Sequence, residues 1–160
     1  MDITRRGTFA ATLASAAALS ACSATTVETA DTVATPAAFA AWLDGYKAAW
    51  EGRDAMQAGA LFTEDASYHE MPFDEAMVGR AAIEAYWTRV TAAQSNISFN
   101  YDVIACVGDQ GIAHWRAALN VGADTIELDG VFVCTFADAE HVRALREWWH
   151  VKASPTAAPG

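Results

Sequence analysis

Apolar positions along the chain follow two periods. Phe39, Trp42, Leu43, Tyr46 and Trp50 recur at three and four residues, which predicts one amphipathic helix opened by Pro36 and stopped by Gly52. Asp54 can cap a second, shorter helix through Phe62, and Thr63-Glu64-Asp65 reads as a turn. Tyr68-His69-Glu70-Met71-Pro72-Phe73 reads as a short strand, followed by a turn-rich run to Gly79. Gly79-Arg80 opens a third helix with Ile83, Tyr86, Trp87 and Val90 on one face, ending by Ser95-Asn96. The remainder is rich in β-branched and aromatic residues. Residues 99–107, 112–121, 125–136 and 142–151 predict four strands, broken at Gly108-Asp109, Gly122 and Ala137-Asp138. Four successive strands suggest antiparallel pairing. The pattern predicts an α+β domain in which three N-terminal helices pack on one face of a curved antiparallel sheet, a cone whose hollow suits a small molecule.

With 160 residues the chain is long enough for one ordinary domain. A formal charge of −10 and the absence of a basic stripe argue against nucleic acid as a partner. Residues 1–21 read as an export signal: Arg5 and Arg6, an Ala-rich apolar run from Phe9 to Leu19 too short to span a bilayer, then Leu19-Ser20-Ala21-Cys22. Those last four residues resemble a bacterial lipobox, which implies cleavage before Cys22 and lipidation of its thiol. Thr4-Arg5-Arg6-Gly7-Thr8-Phe9 resembles a twin-arginine motif with Phe9 one place late, so twin-arginine and general secretion both stay open. Residues 22–35 would be the lipidated cysteine and a flexible linker, 36–152 the folded domain and 153–160 a frayed tail. The expected location is outside the cytoplasm, with membrane contact through the lipid anchor only. Cys106 and Cys134 could pair in an oxidising compartment or stay as two buried thiols.

Candidate chemistry centres on the first strand. Side chains alternate across a strand, so Tyr68 and Glu70 share one face and His69 takes the other. A carboxylate aimed into an aromatic hollow would lose hydration and become a proton-transfer group near neutral pH. Glu147 shares a face with Leu145 and Trp149, and is either inward or a solvent-facing acid at a sheet edge. Arg116 and His114 share a face with Ile112 and are candidates to polarise a carbonyl, the alternative being that Arg116 only neutralises Glu70 and Glu147. Tyr46 and Tyr68 could donate to a developing oxyanion or be satisfied core aromatics. Trp42, Trp87, Phe132 and Trp149 are candidates for walls that hold a substrate. His69, His114 and His150 match no metal-ligand spacing, and no phosphate loop or nucleophile signature is present, so neither metal nor cofactor is expected.

Four stretches carry a family resemblance: Asp54 through Leu61-Phe62-Thr63-Glu64-Asp65-Ala66; Gly79-Arg80-Ala81-Ala82-Ile83; Asp129-Gly130-Val131-Phe132; and Arg146-Glu147-Trp148-Trp149. Together they resemble the nuclear transport factor 2-like superfamily, and within it the SnoaL-like enzymes, over about residues 38 to 152. Tyr68-His69-Glu70-Met71-Pro72 resembles the Tyr-x-Asn-Met-Pro strand of limonene epoxide hydrolases, with Glu70 in place of the Asn. There Arg116 matches the arginine that helps protonate the epoxide, Ala118 replaces its partner Asp, and Glu147 matches the water-activating Asp. Tyr46, eight residues before Asp54, resembles the oxyanion Tyr of ketosteroid isomerases. Glu70 takes the place of their proton-transferring Asp, and Phe132 is nearest to their second acid. The resemblance implies a cofactor-independent isomerase, cyclase, dehydratase or hydrolase acting on a small, largely apolar substrate. Glu70 would be its base, Tyr46 and Tyr68 hydroxyl donors, and Arg116, His114 and Glu147 supporting groups. It also implies a homodimer through the open sheet face. The competing class is a non-catalytic lipoprotein that binds a ligand or stabilises an assembly.

Overall fold

The computed structural model describes residues 34–152; the expected export signal, the expected lipidation site Cys22 and the expected C-terminal tail lie outside the described residues. Helix α1 spans Pro36–Gly52, with the Thr35 hydroxyl accepting from the Ala38 N–H and proline in the first turn. It ends where Arg53 takes a left-handed conformation (φ 54°). Asp54 caps α2, Ala55–Ala60, by accepting from the Gln57 N–H. After β1 (Phe62–His69) and the two-residue β2 (Met77–Val78), helix α3 runs Arg80–Thr91. Strands β3 (Gln94–Val107), β4 (Gln110–Val121), β5 (Asp124–Phe136) and β6 (Val142–Val151) complete the chain.

The six strands form one curved sheet in the order β2-β1-β6-β5-β4-β3. Neighbours from β3 to β6 pair antiparallel, as the pattern predicts. The first strand corrects an all-antiparallel sheet, because β1 lies parallel to β6. That strand also begins earlier than predicted. Thr63-Glu64-Asp65 is strand, not turn, with Phe62 and Ala66 buried beneath it and a register shift between Phe62 and Ser67. The Arg80 guanidinium holds its start, donating to the Phe62 carbonyl at 2.5 Å and to Glu64 at 2.6 Å. Regular pairing ends at His69, so Glu70 sits just past the strand. Helix α3 is correspondingly shorter than predicted. Ser95-Asn96 belongs to an irregularity in β3, where Asn96 takes φ 52°, a conformation asparagine tolerates.

The core lies between α1, α3 and the inner sheet face. Phe99, Trp115 and Phe132 stack there, with centroids 5.3 to 6.2 Å apart, and Tyr46 meets Phe132 edge-on at 5.0 Å. Cys106 and Cys134 both face Gly111 across β4. Two strand spacings of roughly 4.8 Å separate them, too far for a disulfide, and both are free thiols. No helix among the described residues is long and apolar enough to cross a membrane.

Gly130 permits a close approach in this core. A Cβ there would lie 2.7 Å from Trp115 and 2.8 Å from the Trp148 carbonyl of the neighbouring strand. Gly130→Ala is therefore expected to destabilise the domain by about 1–3 kcal/mol through overpacking, read as a lower urea midpoint with an unchanged slope. An unchanged midpoint would show that Trp115 has room to move.

Candidate active site

One cavity opens beside the core, with a volume of about 160 Å³. The end of β1 supplies Tyr68 and Glu70, α1 supplies Tyr46 and Trp50, and α3 supplies Tyr86, Trp87 and Val90. Gln94, Trp115, Leu128, Glu147 and Trp149 close the sheet side. Seven of its lining side chains are tyrosine or tryptophan, so a charge placed here loses most of its hydration.

Glu147 is that charge. Alternation along β6 turns it inward with Leu145, it pairs across the sheet with Phe132, and it is only 5% exposed. Of the two sequence readings, the inward one describes the structure. The Tyr68 hydroxyl donates to Glu147 Oε1 at 2.5 Å, and the Tyr46 hydroxyl lies 3.3 Å from that of Tyr68. A hydroxyl has one proton to give, so while Tyr68 serves Glu147 its oxygen can accept from Tyr46. Burial pushes the Glu147 carboxyl up to about 8, opposed by the Tyr68 hydrogen bond and reinforced by the charge of Glu70. The phenols of Tyr46 and Tyr68 are pushed well up by burial and by Glu147. Burial and then Glu70 do the same to Tyr86, whose ring meets Tyr68 edge-on at 5.4 Å. The result is a carboxyl that holds its proton near neutrality among hydroxyls that do not ionise.

The structure thus brings Glu70, Tyr68, Tyr46, Glu147, Trp87 and Trp149 to one cavity. Glu70 is half-buried, less enclosed than Glu147. His69 turns away and its Nε2 lies 2.7 Å from the Asp74 carbonyl. His114 and Arg116 are not in the cavity. The inner face of β4 is Gly111, Ala113, Trp115, Ala117 and Leu119, so His114 and Arg116 lie with Ile112 on the outer face. There His114 Nε2 is 3.0 Å and Arg116 Nε 3.3 Å from Asp129. Ile112 misleads because the buried face is built largely from small residues: Phe39 lies where a Cβ on Gly111 would stand. Trp42 and Phe132 are core, not cavity wall. The Trp42 indole donates to the Leu61 carbonyl at 2.9 Å, and Phe132 is fully enclosed by Tyr46, Phe99 and Trp115.

Tyr86, Val90, Gln94, Trp115 and Leu128 are cavity residues that the sequence did not single out as a site. For Tyr86 and Val90 a signal existed, since they share the apolar stripe of α3 with Trp87. Gln94 accepts from the Trp50 indole at 2.9 Å. The indole N–H groups of Trp87 and Trp115, both buried, have no partner among the described residues. Each unmet donor costs roughly 1–3 kcal/mol. No three His, Cys, Asp or Glu side chains among the described residues cluster as a metal site requires.

The family model for the SnoaL-like domain matches residues 43–144. No curated protein matches the chain. Among solved structures, the epoxide hydrolase/cyclase-like enzyme SalBIII, of pyran ring formation in the polyether salinomycin, is similar with a TM-score of 0.61 and 17% identity, over 69% of this chain and 89% of that one. A Catenulispora acidiphila protein with a ketosteroid isomerase-like fold, in complex with trimethylamine, gives 0.60 and 17% over 67% and 83%. A nuclear transport factor 2-like protein from Burkholderia xenovorans gives 0.58 and 22% over 74% and 92%. At such identities the likeness shows the fold. With its curved six-strand sheet, N-terminal helices and matched family model, the chain belongs to the SnoaL-like family of the nuclear transport factor 2-like fold.

Proposed function

We propose that the protein is a cofactor-independent acid/base enzyme acting on a small, largely apolar substrate, in the class of isomerases, cyclases, dehydratases or hydrolases. One observation carries this reading: a buried carboxyl, Glu147, held by the Tyr68 hydroxyl on the wall of an aromatic cavity. Below about pH 8 the carboxyl is neutral. Its Oε1 accepts from Tyr68 while the remaining O–H can be given to a substrate oxygen. Glu70, on the same cavity and less enclosed, takes a proton from the substrate's carbon or from water as that oxygen gains its own. Glu147 thereby moves from supporting group to principal acid. The charge lost at one carboxyl is gained at the other, and the pair is reset when Glu70 gives up its proton to a substrate carbon or to solvent and Glu147 takes one back from the substrate oxygen or from solvent. The pairing implied by the family resemblance is part of the same proposal, and light scattering at micromolar concentration tests it; monomer alone would remove it.

Three outcomes are expected. Replacing the acid, Glu147→Gln, should lower turnover by about 10²–10⁴-fold while leaving ligand affinity within a few-fold, measured as α-proton exchange of a cyclic ketone in heavy water. Equal exchange rates in the two proteins would sink the assignment.

The second concerns pH and stability. The folded chain keeps the Glu147 proton to about pH 8, whereas the unfolded chain releases it near 4.5. Folding therefore binds a proton in that window. The contribution is present below 4.5 and is lost as pH rises to 8, at up to about 1.4 kcal/mol per pH unit. Urea unfolding at pH 5 and pH 8 should show this fall in the parent protein and a much flatter profile in Glu147→Gln. Parallel profiles would show that the carboxyl does not hold its proton.

The third isolates the hydroxyl. Tyr68→Phe removes the hydrogen bond that pulls the carboxyl down, so the alkaline limb of the pH–rate profile should move to higher pH, with a rate loss of about tenfold or more at pH 7. A limb that stays in place would separate Tyr68 from the acid.

A further inference from the structure

The cavity carries two carboxyls and no counter-charge. Glu147 is 5% exposed, accepts from the Tyr68 hydroxyl at Oε1, and has no hydrogen-bond partner for Oε2 among the described residues. Glu70 lines the same cavity, and its charge opposes the ionisation of Glu147. No lysine or arginine is among the lining residues. The lysine and arginine ion pairs of the described residues engage other acids: Glu51, Glu64, Asp109, Glu127 and Asp129. Seven aromatic side chains complete the lining. Trp87 stands at 83° to Tyr46 and at 89° to Trp50, with centroids 5.1 and 5.9 Å apart, so these rings meet as corners. A ring face is the negative pole of its quadrupole, and an ammonium within about 6 Å of it is attracted, most strongly by tryptophan. One lining ring already holds a cation in this way, since the exposed Arg89 places its guanidinium 5.7 Å over Tyr86.

A neutral hydrocarbon would touch the rings and leave both carboxyls without a counter-charge. A metal ion would need three or more ligating side chains, and the described residues hold no such group. A primary ammonium brings three N–H donors, for which rings are weak acceptors. The volume, about 160 Å³, is close to the roughly 150 Å³ of cavities that admit a benzene-sized guest. We infer that the cavity takes a small alkylated ammonium cation, its alkyl groups against the tryptophan and tyrosine side chains and its charge between Glu70 and Glu147. The formal charge of the chain, −10, favours the approach of such a cation. Turnover as proposed needs Glu147 protonated, whereas this ligand needs it charged, so the two occupants exclude each other. Around Glu147 stand Tyr46 from α1, Tyr68 from β1 with Glu70 just beyond it, Tyr86 from α3 and Cys134 from β5. Burial pushes these phenols and the thiol up, so Glu147 is the group whose proton the cation displaces to solvent.

Two probes of nearly equal shape test it by calorimetry on the full chain: choline, and 3,3-dimethylbutan-1-ol, which replaces the charged nitrogen by carbon. At pH 9 choline is expected to bind at least about tenfold more tightly than the alcohol. Between pH 9 and pH 6 choline should weaken by roughly tenfold or more while the alcohol stays level, because the proton on Glu147 competes with the cation. Heats measured at pH 7 in buffers of different ionisation enthalpy should show a proton released as choline binds. These comparisons need no variant to fold. In Glu147→Gln, choline should bind at pH 9 about as weakly as it binds the parent at pH 6, with no proton released. Equal affinity for the two probes at pH 9, no binding of choline, or a choline affinity indifferent to pH would each overturn the proposal. The two readings fail separately. Choline that binds with proton release, in a protein that exchanges no α-proton of the cyclic ketone, removes the catalytic reading alone. Exchange that depends on Glu147, with choline bound no more tightly than the alcohol, removes the ammonium site alone.

Discussion

The structure depends on how one carboxyl is desolvated. Glu147 is carried inward by the same alternation that buries Leu145, and nothing cationic accompanies it. A buried, unpaired carboxylate would cost several kcal/mol. Retaining the proton avoids that cost, and the Tyr68 hydroxyl satisfies one oxygen. The aromatic wall is therefore both the cause of the shifted acidity and the apolar lining of the cavity. Separating the two would require a cation in the cavity, and the nearest candidates by sequence, His114 and Arg116, are spent on Asp129 across the sheet.

Much of the fold was legible because its signals are local. The α1 stripe from Phe39 to Trp50, the Asp54 cap and the four long strands all rest on periodicity or capping chemistry within a few residues. The parallel pairing of β1 with β6 was not legible, because no local pattern records which distant strand lies alongside. The start of β1 was misread for a related reason. Thr63-Glu64-Asp65 has the composition of a turn, and it is the distant Arg80 that holds the strand's first carbonyl.

The candidate site was legible where alternation alone decided orientation. Tyr68 and Glu70 do share the cavity, whereas alternation left Glu147 open between an inward and a solvent-facing position, and the structure turns it inward. His114 and Arg116 were misplaced because bulk was taken to mark the buried face of β4, whereas glycine and alanine mark it under the helix. The unpartnered indoles could not be read at all. Whether an N–H finds an acceptor depends on contacts such as that of Trp50 with Gln94, 44 residues apart.

The parallel pair has a consequence for assembly. Tyr68 and Glu147 are 79 positions apart, and the strands that carry them are the first long strand and the last. Loop-closure entropy must be overcome before either residue gains its partner, which is the signature of high contact order and slow folding. During synthesis the nascent chain can form α1 and the β3–β5 meander before Tyr68 and Glu147 meet. The buried Tyr68–Glu147 pair forms only when the final segment zips against the first, so the last stretch of the domain is the keystone of the cavity.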